Sequence, residues 1–194
     1  MRHLPSRPVT RRGIALGAAL LLAACSTPGA GLMPLPERTA TAYQLGAGDE
    51  LRITVFNDPR LTGEFRITDA GTVALPLVGA IPAAGRTTAE LGRGVEQALR
   101  ARNLFNDPSV AVEVTQYRPV FVLGMVERGG QTPFQPGMTV LSAVAVVGGF
   151  NYRAVTDRVS VTRIGADGVA REYLGERQSL LQPGDVVTVF ERGL

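Results

Sequence analysis

The residues of this chain that could do chemistry are few, and most are carboxylates. Asp49 and Glu50 are adjacent, and Glu64 lies close to Asp69. Either pair, folded to face one site, has the residue types for acid–base hydrolysis of a glycosidic bond. Their surroundings argue for a different use. Asp49, Asp69 and Asp185 lie in Gly46-Ala47-Gly48-Asp49, Asp69-Ala70-Gly71 and Gln182-Pro183-Gly184-Asp185, where an aspartate beside glycine is expected to bond backbone amides of a tight turn. The single histidine is His3, and lysine and tryptophan are absent. Beyond the first residues there is thus no imidazole for a Ser–His or Cys–His pair or for zinc, and no lysine for a phosphate loop or a Schiff base. No metal or cofactor is expected. Carboxylates, Tyr, Ser, Thr and Arg remain for chemistry, with one thiol, that of Cys25.

The position of Cys25 says what that thiol does. Arg2, Arg7, Arg11 and Arg12 precede an apolar run, Gly13 to Ala24, which is too short to span a bilayer comfortably. This is the charged and apolar order of a secretory signal peptide. The run ends in Leu22-Ala23-Ala24-Cys25, which resembles the bacterial lipobox. There the cysteine sulfur is alkylated by a diacylglycerol, and cleavage before it leaves the lipidated residue at the new N-terminus. Residues 1–24 are therefore expected to be removed and Cys25 to anchor the chain to a membrane. Ser26, rather than an aspartate, follows Cys25, which favours the outer membrane. Thr10-Arg11-Arg12-Gly13 also faintly resembles a twin-arginine export signal. Residues 25–42 are rich in Pro, Gly, Ser and Thr and are expected to be a flexible tether.

The formal charge of +3 comes from the leader. Its four arginines removed, sixteen basic residues face seventeen acidic ones. With no basic run, nucleic acid is not expected as a partner. The length suits one domain or two small ones.

Periodicity supplies the elements that must hold these residues. Leu51, Ile53 and Val55 alternate with Arg52, Thr54 and Phe56, predicting a strand after the first Gly-Asp turn. Val186 to Phe190 follows the second such turn in the same way. Glu64–Ile67 and Thr72–Leu75 are expected to form a hairpin across Asp69-Ala70-Gly71, with Pro76 breaking the ladder and Val78–Ile81 a short extended piece. Thr87 and Glu90 form a capping box ahead of a helical stripe of Leu91, Val95, Ala98 and Leu99. Val110, Val112 and Val114 predict a half-buried strand. Val120 to Val126, apolar on both faces and containing Gly124, predicts a buried one. Gly129-Gly130 and Pro133–Gly137 are expected to be a loop. A helix capped by Thr139 and closed by Gly148-Gly149 is apolar almost all round and expected to be buried. Strands over 158–164 and 169–174 should pair across Gly165–Gly168. The fold class expected is α+β: two β-rich units divided near residue 117, each with one helix on a mostly antiparallel sheet.

Taken in order, these stretches resemble the polysaccharide biosynthesis/export protein family, the outer-membrane lipoproteins of capsule and exopolysaccharide secretion. The resemblance is carried by Tyr43–Phe56, Asp69–Gly79, Gly85–Leu91, Asp107–Val114, Gly124-Met125-Val126, Thr139–Gly149 and Leu181–Val189. It implies a polysaccharide export domain over 43–116 and a soluble-ligand-binding β-grasp domain over 117–192. It also implies a non-enzymatic homo-oligomeric ring passing a polysaccharide chain outward, driven through an inner-membrane polysaccharide co-polymerase. Gly129-Gly130 stands where the family often has Pro-Gly. Larger members carry further β-grasp domains and a membrane-crossing C-terminal amphipathic helix. Lacking such a segment before Leu194, this chain is expected to be a short member that relies on a separate outer-membrane partner or forms only the periplasmic part of the conduit. The alternatives are a glycan-processing enzyme and a periplasmic module that binds a soluble ligand or peptidoglycan without forming a channel.

Overall fold

Two hydrophobic cores organise the chain, one drawn from residues 45–99 and the other from residues 120–189 with Leu35 added to it. The structure, a computed structural model, describes residues 28–37, 42–165 and 167–193. In chain order the first element is β1 (Met33–Pro34). The first unit follows with β2 (Glu50–Val55), β3 (Gly63–Arg66), β4 (Thr72–Leu75), β5 (Gly79–Pro82), α1 (Thr88–Ala101) and β6 (Val110–Gln116). The second contains β7 (Val120–Gly124), β8 (Gly130–Thr132), α2 (Val140–Val146), β9 (Ala154–Ile164), β10 (Ala170–Glu176) and β11 (Val186–Glu191). The class is α+β.

In the first unit β2 is the centre of a three-stranded antiparallel sheet, with β3 and β6 on its flanks. Leu51, Ile53 and Val55 are buried and their alternates exposed, as a period of two demands. Cross-strand ion pairs Glu50–Arg66 and Arg52–Glu64 decorate the open face. Exposed as they are, each adds at most about 1 kcal/mol. Helix α1 begins as its capping box requires: Thr87 Oγ1 accepts the Glu90 amide and Glu90 Oε2 accepts the Thr87 amide. Leu91, Val95 and Leu99 are buried.

The hairpin expected across Asp69-Ala70-Gly71 takes another form. The chain does turn there, with the Gly71 amide donating to Thr68 O and the Thr68 amide to Thr72 O. But β3 pairs with β2, and β4 pairs with β5 in a separate two-stranded ribbon. Pro76 does not end the ladder; it opens the β4–β5 turn, in which Leu77 takes φ 63°.

The second unit is one six-stranded sheet in the order β1-β10-β9-β11-β7-β8. β7 and β11, the unit's first and last strands, lie side by side and parallel within it, with α2 packed on one face. This is the β-grasp arrangement. Helix α2 ends in a Schellman turn, with the Gly149 amide on Val144 O and the Gly148 amide on Ala145 O.

Three sequence expectations need correction here. Gly130 is not in a loop but opens β8, which pairs with β7. β7 is buried on one face only, because Phe121 and Leu123 are 39% and 46% exposed. Likewise α2 buries only Val140, Ala143 and Val144, and Val146 is 62% exposed. A run apolar on both sides cannot reveal by its pattern which side is covered.

The tether is corrected as well. Within 25–42, β1 pairs with β10 in parallel, the Leu35 amide donates to Leu174 O, and Leu35 enters the second core. The described middle of that segment is built into the second unit.

Acid sensitivity of the fold can be read from a surface loop. Asp58 accepts the Arg60 amide and a two-pronged bond from its guanidinium. Arg60 thereby holds the Asp58 carboxyl below its usual range. Asp58 binds its proton less readily folded than unfolded, so it stabilises the fold above the ordinary aspartate range. That contribution is lost as pH falls through its lowered folded value, below about pH 4. Stability measured by circular dichroism down the acid limb should fall less steeply for Asp58→Asn than for the unaltered chain; an identical slope would remove Asp58 from the account.

Candidate functional site

Both Gly-Asp turns come to the junction of the two units, and each builds the same device. In the first, the Asp49 amide closes the turn on Gly46 O, and Asp49 Oδ2 accepts the Gly46 amide at 2.8 Å. In the second, the Asp185 amide closes on Gln182 O, and Asp185 Oδ2 accepts the Gln182 amide at 2.8 Å. Asp49 and Asp185 are both buried, and each meets an arginine. Arg163 grips Asp185 with two bonds, Nε to Oδ1 at 2.9 Å and Nη2 to Oδ2 at 2.7 Å. Arg118, on the second unit's side, donates its amide to Asp49 Oδ1 at 3.1 Å and sets Nε 3.3 Å from the same oxygen.

Tyr43 completes the first device. Its hydroxyl donates to Asp49 Oδ2 at 2.7 Å and accepts Arg118 Nη2 at 3.1 Å. Burial, reinforced by the Asp49 carboxylate, pushes the phenol pKa upward, so it remains a donor throughout the physiological range. A chain of edge-to-face rings then crosses the boundary: Tyr43–Tyr117 at 5.1 Å and Tyr117–Phe134 at 5.5 Å between centroids. Gly46 matters through its lack of a side chain, since a Cβ there would lie 2.5 Å from Arg118 Nη1. The guanidinium lies flat over the turn in the space a methyl would fill.

These groups wall a cleft of about 630 Å³ between the units, lined among others by Tyr43, Tyr117, Arg118, Phe134 and Arg163. Asp49 and Asp185 have their oxygens committed to the locks, which makes the junction an interlock with a polar, aromatic-walled recess rather than a pair of free carboxylates. The carboxylate pairs considered above do not converge: Asp49 bonds Arg118 inside, while Glu50 and Glu64 pair with Arg66 and Arg52 on the open face of β2 and β3. Among the described residues no three His, Cys, Asp or Glu side chains gather as a metal site would need.

The structure thus unites Gly46, Gly48, Asp49, Gly184 and Asp185 at one junction. Gly71 lies apart, its carbonyl receiving the Ala83 and Ala84 amides. Gly124 ends β7, and Gly148 and Gly149 close α2. Cys25 lies outside the described residues. Sequence reasoning missed Tyr43, Arg118 and Arg163. Two of them carried a signal, Tyr43 as the first residue of the Tyr43–Phe56 stretch and Arg118 by its place before Pro119 at the division between the units.

A β-grasp sheet locked behind a smaller β-rich unit defines the class, and family comparison agrees. Residues 37–115 match the model described as polysaccharide biosynthesis/export protein, and residues 119–173 match the SLBB domain. The chain belongs to the polysaccharide biosynthesis/export protein family. Its relatives include the exopolysaccharide production protein ExoF of Rhizobium meliloti, 34% identical over 83% of this chain and 40% of that protein. The EPS I polysaccharide export outer membrane protein EpsA of Ralstonia solanacearum is 30% identical over 79% of this chain and 49% of its own length. The capsule polysaccharide export outer membrane protein CtrA of Neisseria meningitidis is 35% identical over 64% of this chain and 33% of its own. The chain spans less than half the length of the curated relatives it matches. Among the described residues no helix is long and apolar enough to cross a membrane.

Proposed function

We propose that this protein is a lipid-anchored, non-enzymatic component of a polysaccharide export apparatus at the periplasmic face of the outer membrane. In this reading copies assemble through Cys25-anchored chains into a ring that passes capsular or exopolysaccharide outward. The observation that carries the proposal is the match of both units, in order, to the export and SLBB models, in a chain whose relatives are named for exopolysaccharide production and polysaccharide export. The nearly neutral body without tryptophan suits a polymer that must slide past without being held. The driving force falls to synthesis and to an inner-membrane co-polymerase, and passage through the outer membrane to a partner or to further sequence.

Deleting the gene should abolish secreted polysaccharide while leaving it accumulated inside, and the wild-type gene should restore it. Undiminished secretion would defeat the proposal. Cys25→Ser should retain the uncleaved precursor in the inner-membrane fraction and fail to restore export; normal outer-membrane fractionation of that variant would refute the anchor. Light scattering of the detergent-purified protein distinguishes the ring from a ligand-binding module: a high-order oligomer is expected, and a monomer or dimer would favour the module, with the junction cleft as its site.

A further inference from the structure

The face of the second sheet opposite α2 is covered by the turn at Gly29 where Leu174 and Phe190 lie, and is left open at Phe121 and Leu123. Strand register places Leu174, Ser160, Thr188 and Leu123 in one row across β10, β9, β11 and β7. The alternating row, Tyr173, Val161, Val187 and Val122, lies on the α2 side. At about 4.8 Å between strands the outer row is about 14 Å long. Ser160 in this row is buried and donates to Glu172 Oε1, so a carboxylate stands on the same face beside Leu174. Beside it are Phe190, next to inward-facing Val189, and Phe121, paired with Val186. Phe121 and Leu123 are among the large apolar side chains left open.

The same face receives the N-terminal segment. Gly29 lies against Leu174 and Phe190 so closely that a Cβ on it would meet Leu174 Cδ1 at 2.7 Å and the Phe190 ring at 3.2 Å. The Leu32 amide closes a turn on Gly29 O, and the chain then enters β1 along β10. Three residue steps separate Cys25 from Pro28, a reach of at most about 11 Å. A lipid on Cys25 therefore cannot stand far from this face.

We propose that the open end of this face, Phe121 and Leu123, beside the segment that covers Leu174 and Phe190, rests on the lipid leaflet that holds Cys25, so that acyl chains and sheet face bind the membrane together. This rests on the lipid-anchor reading above. A single acylated point fixes distance but not orientation. Exposed apolar side chains within reach of the anchor settle into the headgroup boundary and set which way the unit faces. Val146, also exposed, belongs to α2 on the opposite side of the sheet and faces away from the leaflet.

The test uses the full-length, lipidated protein in vesicles of phosphatidylethanolamine and phosphatidylglycerol. Cys25 is the only native thiol and is blocked when acylated, so Leu123→Cys, Phe121→Cys and Val146→Cys each offer one site for an environment-sensitive fluorophore. Probes at 123 and 121 should shift to the blue and be quenched several-fold more by spin-labelled lipid than the probe at 146. Equal quenching at all three, or none at 121 and 123 in protein whose mass includes the diacylglyceryl group, overturns the proposed face and leaves the anchor standing. A blue shift at 121 and 123 that grows with protein concentration without lipid quenching assigns the face to a second copy, and also overturns it. Absence of the diacylglyceryl mass overturns the anchor and the proposal with it.

Discussion

Replacing Gly124 with alanine is expected to unfold the second unit. Gly124 ends β7 with φ 84° and is paired with Val189 of β11. A Cβ there would stand inside contact distance of Val189 O and 3.0 Å from Val189 N. Both atoms belong to the backbone of the central strand, so no rotamer change relieves the clash. Positive φ alone disfavours alanine by about 1 kcal/mol, and displacing the parallel β7–β11 pair raises the loss to roughly 3–5 kcal/mol. That is a large share of what holds a small domain together, about 5–15 kcal/mol. Calorimetry should show a fall in Tm of about 15 °C or more. Gly130→Ala is the control, because nothing lies within 4 Å of a Cβ at that position; it should shift stability by about 0.5 kcal/mol or less. Similar melting of the two variants would show that β11 yields at no cost.

Asp49→Ala should be the most damaging change to the junction. The carboxylate is fully buried and receives Tyr43, the Gly46 amide and the Arg118 amide, with the guanidinium alongside. Its removal strands a partly buried cation and breaks the turn that starts β2, at a cost of about 3–5 kcal/mol. Urea unfolding of the variant should also divide into two transitions as the units lose their coupling. The double variant Asp49→Ala/Arg118→Met should lose less than the sum of the two single changes, because no unpaired charge is then left behind. Strict additivity would mean that the two residues do not act on each other.

The local parts of this architecture are legible in the sequence and the long-range parts are not. The alternation of Leu51, Ile53 and Val55, the Thr87–Glu90 box and the 158–174 hairpin are each specified within a dozen or so residues, and each is present. The Asp69–Gly71 turn shows the limit. Turn chemistry reverses the chain, but it does not say whether the flanking strands prefer each other or partners further off, and here β2 and β5 outcompete the local pairing. Phe121 and Leu123 have the same letters whether a face is covered or open. At the junction Asp49 and Asp185 sit in turns that their neighbouring glycines announce, while the arginines that meet them lie 69 and 22 residues away. Nothing in the word Arg distinguishes a guanidinium lying over a turn from one in water.

The rims of the larger sheet have a consequence for how these molecules can crowd together. One rim is β1, two residues long, and the other is β8, of three. Rows of unpaired amides that short give a neighbouring molecule little to add a strand to. Copies concentrated at one surface are thereby discouraged from joining through those two rims, and contact there is left to side chains.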